Sequence, residues 1–359
     1  MEINSQKLVN PSFWLGKKIL ITGHTGFKGS WLCLWLQLLG VELSGFALKS
    51  PTKPALFEEA NVAKGMMSFC GDIRNFDAVL DIIEKCQPEI IFHLAAQPIV
   101  RESYKIPIQT YETNVMGTVN VLEAARRVKS VKALINITTD KCYENKEILR
   151  GYREDEPMGG HDPYSSSKGC SELITSAYRR SFYKESGIAL ASARGGNVIG
   201  GGDWTTDRLI PDILKSFENN KPAIIRNPNS IRPWQHVLEV LSGYLILAEK
   251  LYEDKDLFSS GWNFGPNNED SKSVKWIVEY MTGKWKKGTE WTLDKENNPH
   301  EANYLKLDIS KAKSLLGWQP MWTLEQALEK VLEWHKSWVN KEEIKKICYE
   351  QIIVYSQKS

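Results

Sequence analysis

The chain has 359 residues, of which 42% are hydrophobic and 25% charged, and its formal net charge is +2. A charge this close to zero argues against nucleic-acid or membrane-surface binding, because both require a basic face. No apolar run reaches the roughly 18 residues of a membrane-spanning helix, and the N-terminus shows no signal-peptide pattern. We therefore expect a soluble, cytoplasmic protein with no nucleic-acid or membrane partner.

The segment from residue 17 to about 200 alternates short apolar strands with longer amphipathic helices. The predicted strands span residues 17–23, 42–48, 89–94, 132–138 and 189–194, and the predicted helices span residues 30–39, 75–86, 114–128 and 164–185. This alternation is typical of a parallel sheet covered by helices on both faces. The predicted fold class is α/β, with a Rossmann-type doubly wound parallel sheet that forms a dinucleotide-binding domain over residues 10–200.

The alternation weakens beyond residue 200. A glycine-rich loop at residues 200–203 precedes a predicted helix over 207–219, and a second amphipathic helix is predicted over 324–338. Residues 342–359 give mixed signals. We predict a smaller C-terminal mixed α/β domain for the substrate over residues 201–345, with Asn263 and Phe264 in a strand that returns to the main sheet.

The six cysteines are scattered and show no metal-ligand spacing. None lies in a CxxC pair or near a histidine at ligand spacing, so we expect reduced thiols and no metal site. Trp14, Trp31 and Trp35 lie in apolar runs. We predict that they pack in the core rather than stack on a ligand.

Gly23, Gly26 and Gly29 form a GxxGxxG loop directly after the first predicted strand and before the first helix. Glycines at these positions permit a tight turn, and the helix N-terminus offers free amides to a pyrophosphate. The alternative is that the glycines serve only the geometry of the turn.

The residues at the end of the second strand do not decide between NAD and NADP. An acidic residue usually stands there to hold the ribose hydroxyls, but this chain has Leu48, Lys49 and Ser50. Lys49 either favours the 2′-phosphate of NADP or is simply solvated. Asp72, after the third strand region, is predicted to contact the adenine, the alternative being an N-cap or a first-turn acid of the helix that starts near Asn75.

Tyr164 and Lys168 form a YxxxK pair at the start of a predicted helix. Residues four apart share one helix face, and a nearby cation favours a phenolate that can take a proton from a sugar hydroxyl. The pattern is common by chance. The phosphate loop upstream and the strand end at Thr138, Thr139 and Asp140 favour the catalytic interpretation.

These motifs resemble those of the extended short-chain dehydrogenase/reductase family, which includes NAD-dependent epimerases and dehydratases. The resemblance is carried by residues 22–29, 93–98 and 164–168. Residues 138–144, 194–204 and 232–237 are similar to those of the family's nucleotide-sugar 4,6-dehydratases that act on CDP-glucose. The resemblance implies CDP-glucose as the substrate and a tightly held NAD, with NADP as the less favoured cofactor.

The resemblance also implies roles for individual residues. The cofactor contacts are Gly23, Thr25, Gly26, Phe27, Asp72, Ile73, Leu94, Ala95, Ala96, Gln97, Thr138, Tyr164 and Lys168. Tyr164 would be the base at the C4 hydroxyl, assisted by Lys168 and Thr139, and Asp140 the acid at C6. Asn197, Arg232 and Tyr304 would bind the substrate. The alternatives are a turn residue for Asn197 and a surface charge for Arg232.

Lys141 stands where related dehydratases commonly have a glutamate, and the resemblance assigns it the role of base at C5. A lysine is a base only in its neutral form, which burial or a positive charge such as that of NAD favours. The alternative is that Lys141 pairs with Asp140 and that a neighbouring residue is the base.

Three rival functions remain. A 4,6-dehydratase for another nucleotide sugar would carry the same catalytic residues. A nucleotide-sugar 4-epimerase would not need Asp140 and Lys141, and a noncatalytic dinucleotide sensor would not need Thr139, Tyr164 and Lys168 together. We also expect a homo-oligomer, a dimer or tetramer, because proteins of this family often pair through the helix of the YxxxK motif and a neighbouring helix. The helix over 114–128 is the candidate neighbour, the alternative being that it is a core element.

Overall fold

The computed structural model describes residues 9–285, 289–294 and 304–357. The strands are β1 (Lys18–Thr22), β2 (Glu42–Ala47), β3 (Met67–Cys70), β4 (Ile90–His93), β5 (Ala133–Ile137), β6 (Ala189–Gly195), β7 (Val198–Ile199), β8 (Ala223–Ile225), β9 (Ile231–Pro233), β10 (Gln235–His236), β11 (Gly261–Phe264), β12 (Ser271–Ser273) and β13 (Trp291–Leu293). The helices are α1 (Pro11–Trp14), α2 (Phe27–Leu38), α3 (Leu56–Glu59), α4 (Phe76–Cys86), α5 (Val100–Lys105), α6 (Pro107–Tyr111), α7 (Gly117–Arg127), α8 (Pro163–Tyr178), α9 (Lys184–Ser186), α10 (Leu209–Glu218), α11 (Val237–Glu253), α12 (Lys255–Phe258), α13 (Val274–Trp285), α14 (Leu324–Val339) and α15 (Ile344–Gln357).

Seven parallel strands form the main sheet in the order β3-β2-β1-β4-β5-β6-β11. The chain starts at the centre with β1, builds outward to β3, and then returns to place β4 on the other side of β1. Sheets of this kind bind ligands at the carboxyl ends of the strands where the order reverses, here between β1 and β4. The predicted α/β fold with a doubly wound parallel sheet is confirmed.

The strands are apolar because both faces of the sheet are buried. Within β1, Ile19 and Ile21 belong to the core on one face, and Leu20 belongs to the core on the other. Helices α2 and α11 cover the first face, and α4 and α7 cover the second. Trp14, Trp31 and Trp35 are at most 2% exposed, which confirms the prediction that they are core residues.

Helix α11 is the largest element that the sequence patterns did not predict. Residues 237–249 are all buried, charged Glu239 and Glu249 included. A helix that is apolar on all sides is typical of a protein core and lacks the periodic pattern that marks a surface helix. The predicted return of Asn263 and Phe264 is confirmed, since both lie in β11, which pairs with β6.

Other elements differ from prediction at their ends. Helix α2 begins at Phe27, three residues before the predicted start, because Gly26 is its N-cap. The predicted helix over 114–128 is the second half of a longer run that begins with α6 and passes through a π-helical segment, Glu112–Met116. The mixed signals after residue 342 correspond to α15, which packs against α2. The division into domains at residue 200 stays a prediction.

Candidate active site

The turn from β1 to α2 fits a dinucleotide pyrophosphate. Gly23 has a φ of +77°, and a Cβ there would lie 2.7 Å from the backbone nitrogen of Ala95. Similarly, a Cβ on Gly29 would lie 2.8 Å from the Cα of His24. Gly26 caps α2 without a side-chain hydrogen bond, so the first-turn amides are left for an anion. The glycines therefore do more than shape a turn, because they let three backbone segments meet at the helix N-terminus.

Thr25 and Phe27 flank this turn on opposite sides. The Thr25 hydroxyl donates to the carbonyl of Leu48 over 2.9 Å, which ties the loop to the end of β2. The half-buried ring of Phe27 packs against the core next to Gly200. Their contacts with a cofactor stay predictions.

The predicted cofactor segment Leu94–Gln97 follows β4 and is held from two sides. The amide of Ala95 donates to the Thr22 hydroxyl over 3.2 Å. The Asn114 side chain accepts from the amide of Gln97 over 2.8 Å and donates to its carbonyl over 3.0 Å and to Ser167 Oγ over 2.9 Å. The π-helical segment places Asn114 in this bridging position, and such segments are frequent at functional sites. The sequence analysis missed Asn114, although an asparagine on the apolar side of a helix was a signal.

Asp72 and Ile73 follow β3. The N-cap of α4 is Asn75, whose side chain accepts from the amide of Ala78, so the alternative that Asp72 is the N-cap is wrong. Asp72 accepts instead from the guanidinium of Arg74 over 2.6 Å, and this hydrogen bond holds the pKa of Asp72 below its ordinary value. Ile73 is buried, and its carbonyl accepts from Asn120. The adenine contact stays a prediction.

The candidate catalytic turn begins where β5 ends. Thr139 caps a short 3₁₀ helix, Asp140–Cys142, and accepts from the amide of Lys141 over 3.4 Å. The Thr139 hydroxyl also donates to Asp140 Oδ1 over 2.9 Å. The cap thus fixes three consecutive predicted catalytic residues relative to the sheet.

Asp140 is fully buried, and its Oδ2 has no hydrogen-bond partner among the described residues. Gly196 makes room for it, because a Cβ at that position would lie 2.7 Å from Asp140 Cγ. An unpaired buried carboxylate oxygen is unfavourable. Its presence at the predicted position of an acid favours a role in binding or proton transfer.

Lys141 reaches outward from the same turn. Its Nζ lies 3.8 Å from Asp140 Oδ1, and its side chain is 35% exposed whereas that of Asp140 is 1% exposed. The ion pair of the alternative interpretation is therefore present, at a long distance. The exposed fraction leaves Lys141 accessible to a substrate, and its role as the C5 base stays a prediction.

Tyr164 and Lys168 both lie in the first turns of α8, whose N-cap is Asp162. Burial raises the pKa of Tyr164 to about 12, while a hydrogen bond with Thr139 acts in the opposite direction. Burial also lowers the pKa of Lys168 to about 8, and its Nζ donates to the carbonyl of Ile137 over 3.2 Å. The fold brings Tyr164, Lys168 and Thr139 together. Burial, and not the charge of Lys168, has the largest effect on the pKa of the Tyr164 phenol.

A buried polar network stabilises the catalytic turn. Glu172, one helical turn after Lys168, accepts from the Thr138 hydroxyl over 2.5 Å and pairs with Arg194 over 2.8 Å. Arg194 also donates to the Tyr143 hydroxyl over 2.6 Å. The network joins β5, β6 and α8 and so fixes the turn against the YxxxK helix.

Two basic residues near these groups were missed by the sequence analysis. Burial lowers the pKa of Lys28 to about 7, the charges of Lys168 and Arg208 act in the same direction, and Asp140 opposes them. Arg208 donates to Asp203 Oδ2 over 2.9 Å, and its charge also acts on Tyr164. Lys28 stands between two loop glycines, and this position was the signal.

The segments that carry the three predicted substrate residues meet, although only Arg232 lies within a strand. Arg232 lies in β9, which pairs antiparallel with β12, and the neighbouring Ile231 bridges to Tyr304. The amide of Gln235 donates to the carbonyl of Asn197 over 3.2 Å. Tyr304 donates its hydroxyl to the carbonyl of Leu149, in the loop after the catalytic turn, over 2.8 Å. The segments that carry all three residues are therefore joined by hydrogen bonds.

Asn197 combines features of both its interpretations. Its φ of +31° is typical of a turn residue, and asparagine tolerates this region better than most residues. Its buried Oδ1 has no hydrogen-bond partner among the described residues, as expected of a ligand-binding amide. The roles of Asn197, Arg232 and Tyr304 stay predictions.

Neither a metal centre nor a membrane span is found in the part of the chain that the structure describes. Residues 9–285, 289–294 and 304–357 contain no cluster of three or more His, Cys, Asp or Glu side chains placed to hold a metal ion. Over the same residues, no helix combines the length and apolar character needed to cross a membrane.

Comparison with known proteins gives relatives over nearly the whole chain. CDP-glucose 4,6-dehydratase of Salmonella typhimurium is 56% identical over 342 residues, covering 94% of this chain and 95% of that protein. The structure of dTDP-glucose 4,6-dehydratase from Bacillus anthracis, solved in complex with NAD, has a TM-score of 0.75 at 24% identity and covers 92% of this chain and 100% of its own. The structure of an epimerase from Methanothermobacter thermautotrophicus has a TM-score of 0.79 at 20% identity, covering 92% and 96%.

The two solved structures, at these identities, show the shared fold. A sequence profile settles the family, because the profile described as GDP-mannose 4,6 dehydratase matches residues 20–331. The chain belongs to the GDP-mannose 4,6-dehydratase family, within the short-chain dehydrogenase/reductase fold.

Proposed function

We propose that this chain is a CDP-glucose 4,6-dehydratase, which converts CDP-D-glucose into CDP-4-dehydro-6-deoxy-D-glucose and water. The observation that carries the proposal is the meeting of the Thr139–Lys141 turn with Tyr164 and Lys168 at the carboxyl edge of the sheet. The relative that is 56% identical supports the choice of CDP-glucose.

NAD is the proposed cofactor, held by the phosphate loop and by the segments after β3 and β4. When bound, NAD accepts a hydride from C4 of the sugar and returns it to C6 at the end of the cycle. The bound NAD of the Bacillus anthracis dehydratase supports this choice. Because the hydride returns, the cofactor ends the cycle in its starting form and there is no net oxidation.

Tyr164 is the proposed base for the first step. Its phenolate takes the proton of the C4 hydroxyl while the hydride leaves C4, so that the carbon becomes a ketone. The Thr139 hydroxyl favours the phenolate when it turns from Asp140 to donate its one proton to Tyr164. The ammonium group of Lys168 donates a hydrogen bond to the carbonyl of Ile137, which fixes its positive charge near the site.

Lys141 and Asp140 are the proposed pair for the elimination. The C4 ketone acidifies the C5 proton, which neutral Lys141 removes, and the released electrons form the C5–C6 double bond. Asp140 donates a proton to the C6 hydroxyl, which leaves as water. After the hydride reaches C6, Lys141 gives its proton to C5. Tyr164 releases to solvent the proton that it took from the C4 hydroxyl, and Asp140 takes one proton from solvent, so that all three groups return to their starting forms.

Arg232 and Asn197 are proposed to bind the diphosphate of the substrate. A guanidinium matches phosphate geometry with two parallel hydrogen bonds. The amide of Asn197 can donate to a phosphate oxygen only through its Nδ2 group, whereas its unpaired Oδ1 is an acceptor that a hydroxyl of the substrate can satisfy.

The first experiment is to incubate the purified protein with CDP-, dTDP-, GDP- and UDP-linked hexoses and to measure product mass. Loss of one water from CDP-glucose alone is expected. Loss from another nucleotide sugar would keep the mechanism and overturn the CDP assignment. A mass-neutral isomer would favour the 4-epimerase, and no change with added NAD would favour the sensor.

The second experiment tests the elimination with Lys141→Met. We expect the variant to oxidise C4, so that reduced nicotinamide absorbance accumulates, but to release at least a hundredfold less product, the lower range for loss of a general base. Deuterium from solvent should no longer enter C5. Lys146→Met, the same change at an exposed residue of the following loop, is the control and should keep full activity.

We further propose that two copies pair through the face of α6, α7 and α8. Ile108 of α6 and Leu173 of α8 are 75% and 60% exposed. Met116 and Phe182, in the π-helical segments Glu112–Met116 and Arg179–Tyr183, are 52% and 43% exposed, and exposed apolar side chains that cluster mark contact sites. Light scattering should give a dimer or tetramer, and Leu173→Glu combined with Phe182→Glu should give a monomer. Leu257→Glu, at a 56% exposed leucine of α12, should change nothing.

A further inference from the structure

A cavity of about 560 Å³ opens beside the phosphate loop, and its lining includes Thr25, Leu48, Phe57, Phe69 and Cys70. Leu48 directly follows β2, and Cys70 is the last residue of β3. In a doubly wound sheet, the nucleoside half of a dinucleotide lies at the ends of these strands, next to the pyrophosphate. The cavity therefore has the position expected for the adenosine.

The acid that usually receives the adenosine ribose is missing at the end of β2, where Leu48, Lys49 and Ser50 stand instead. Glu58, from α3, lines the same cavity. The Ser50 hydroxyl donates to Glu58 Oε1 over 2.7 Å. Ser50 is only three residues beyond β2, so this hydrogen bond holds a carboxylate near the end of that strand.

The next residue along α3, Glu59, also lines the cavity, but its carboxylate has a partner outside it. Glu59 accepts from Trp338 Nε1 over 2.8 Å and is thereby tied to α14. Two lysines, Lys49 and Lys53, also line the cavity. The cavity is therefore lined by both carboxylates and ammonium groups. Whether NAD or NADP binds depends on which of these groups contacts the ribose.

We propose that Glu58 accepts the hydrogen bonds of the 2′- and 3′-hydroxyls of the adenosine ribose and thereby selects NAD over NADP. A carboxylate stabilises two hydroxyl donors and repels a 2′-phosphate, so one group supplies both attraction and discrimination. Lys49 and Lys53 would favour the phosphate if Glu58 were neutral. The inference rests on the proposed function only in requiring that a nicotinamide dinucleotide binds this loop.

A competing explanation is that the hydrogen bond between Ser50 and Glu58 only stabilises the conformation of the loop between β2 and α3. Loss of such a structural contact would disorder the cavity and weaken the binding of NAD and of NADP together. Loss of a ribose acceptor would change the two affinities in opposite directions. The ratio of the two affinities therefore separates the explanations.

The experiment is calorimetric titration of NAD and NADP into Glu58→Gln and Glu59→Gln, each freed of bound nucleotide. For Glu58→Gln we expect NAD to bind about tenfold or more weakly, as for loss of a charge-assisted hydrogen bond, and NADP to bind several-fold more tightly. Glu59→Gln, the same charge change one residue away, should keep the wild-type ratio. Adding Lys49→Gln to Glu58→Gln should reverse the gain for NADP.

Unchanged affinities in Glu58→Gln, or an equal loss for both dinucleotides, would overturn the proposal while leaving the dehydratase function intact. A second readout tests the cavity itself. Cys70 is exposed, and saturating NAD should protect it from a maleimide in the wild-type protein, as read from the mass of its peptide. Full labelling of Cys70 in the NAD complex would place the adenosine elsewhere. If wild-type protein bound neither dinucleotide, the proposed function would fail with the inference.

Discussion

The candidate acid and base groups and the candidate substrate contacts are held by the protein in two different ways. Thr139, Asp140 and Tyr164 stand at the carboxyl edge of one seven-stranded sheet, supported by the buried pair of Glu172 and Arg194. Arg232 stands on a strand of three residues, in a two-stranded sheet beyond residue 200. The first group is fixed by a large cooperative structure and the second by short pairings.

Because of this difference, we expect substitutions in the two regions to affect different properties of the enzyme. Long parallel strands buried on both faces leave little freedom at their ends, which suits proton transfer over hydrogen-bond distances. Short strands joined by loops can vary without disturbing the sheet, which suits recognition of different nucleotides. We expect substitutions in the first region to lower kcat or stability and those in the second to raise KM.

The largest expected effect is that of Tyr164→Phe. Removal of the hydroxyl eliminates the proposed base at C4, and kcat should fall by about 10²- to 10⁴-fold, with KM changed little. Tyr178→Phe, at a half-buried tyrosine near the end of the same helix, is the control. The measurement is the rate of water loss by mass spectrometry, and a kcat within threefold of wild type would remove Tyr164 from the mechanism.

The next effect concerns stability and is expected of Glu172→Gln. Burial alone would raise the pKa of Glu172, but the charge and hydrogen bond of Arg194 hold it below its ordinary value. The carboxylate therefore stabilises the fold above the unfolded-state pKa, and this stability is lost as pH falls. Breaking a buried pair typically costs about 3–5 kcal/mol.

Urea unfolding at neutral pH measures this loss, with Glu185→Gln at an exposed position as the control. The variant should also lose much of the wild-type dependence of unfolding free energy on acid pH. Equal stability of variant and wild type would show that the network does not fix the catalytic turn, and the contrast between the regions would weaken.

Glu239, in α11, is expected to give the opposite dependence of stability on pH. Burial raises its pKa to about 7, although Tyr355 and the amides of Met321 and Trp322 oppose the shift. The folded state therefore binds a proton more readily than the unfolded state, and stability falls as pH rises from the unfolded pKa of about 4.5 towards about 7. Glu239→Gln should be more stable than wild type at pH 8 by roughly 3 kcal/mol, since one pKa unit corresponds to about 1.4 kcal/mol.

Urea unfolding between pH 5 and pH 8 checks this sign. The curves of variant and wild type should converge at low pH and separate as pH rises, with kcat unchanged at every pH. Parallel curves would mean that Glu239 carries no proton at neutral pH.

The smallest effect is expected of Arg232→Lys. A lysine keeps the charge but loses the planar pair of donors that matches a diphosphate, so KM for CDP-glucose should rise about tenfold with kcat retained. Lys275→Ala, an exposed position in the following helix, should leave both constants unchanged. A fall in kcat instead would place Arg232 with the reacting atoms and break the contrast between the regions.

The same contrast explains what the sequence could and could not predict. Strands such as β1 and β5 are mainly apolar runs bounded by polar residues, so their positions can be predicted from the sequence. Helix α11 was missed because a helix buried on every side has no polar stripe. The YxxxK pair and the turn at Thr139 are local patterns and were found.

Lys28, Asn114 and Arg208 were missed because their importance depends on contacts between distant segments. Asn114 joins Gln97 to Ser167, which lie 17 and 53 residues away along the chain. The N-cap and first-turn assignments offered for Asp72 failed because the N-cap of α4 is Asn75 and the helix begins only at Phe76. Patterns within a segment predict elements, whereas bridges between segments require the fold.

Helix α11 and strand β11 limit how such enzymes can be re-engineered. Both come from beyond residue 200, yet α11 covers one face of the main sheet and β11 completes its edge. The N-terminal half therefore lacks part of its own core, and a cut at residue 200 would leave an aggregation-prone fragment with an open strand edge. A chimaera that exchanges nucleotide preference must keep residues 237–264 with the N-terminal half and exchange only the segments on either side.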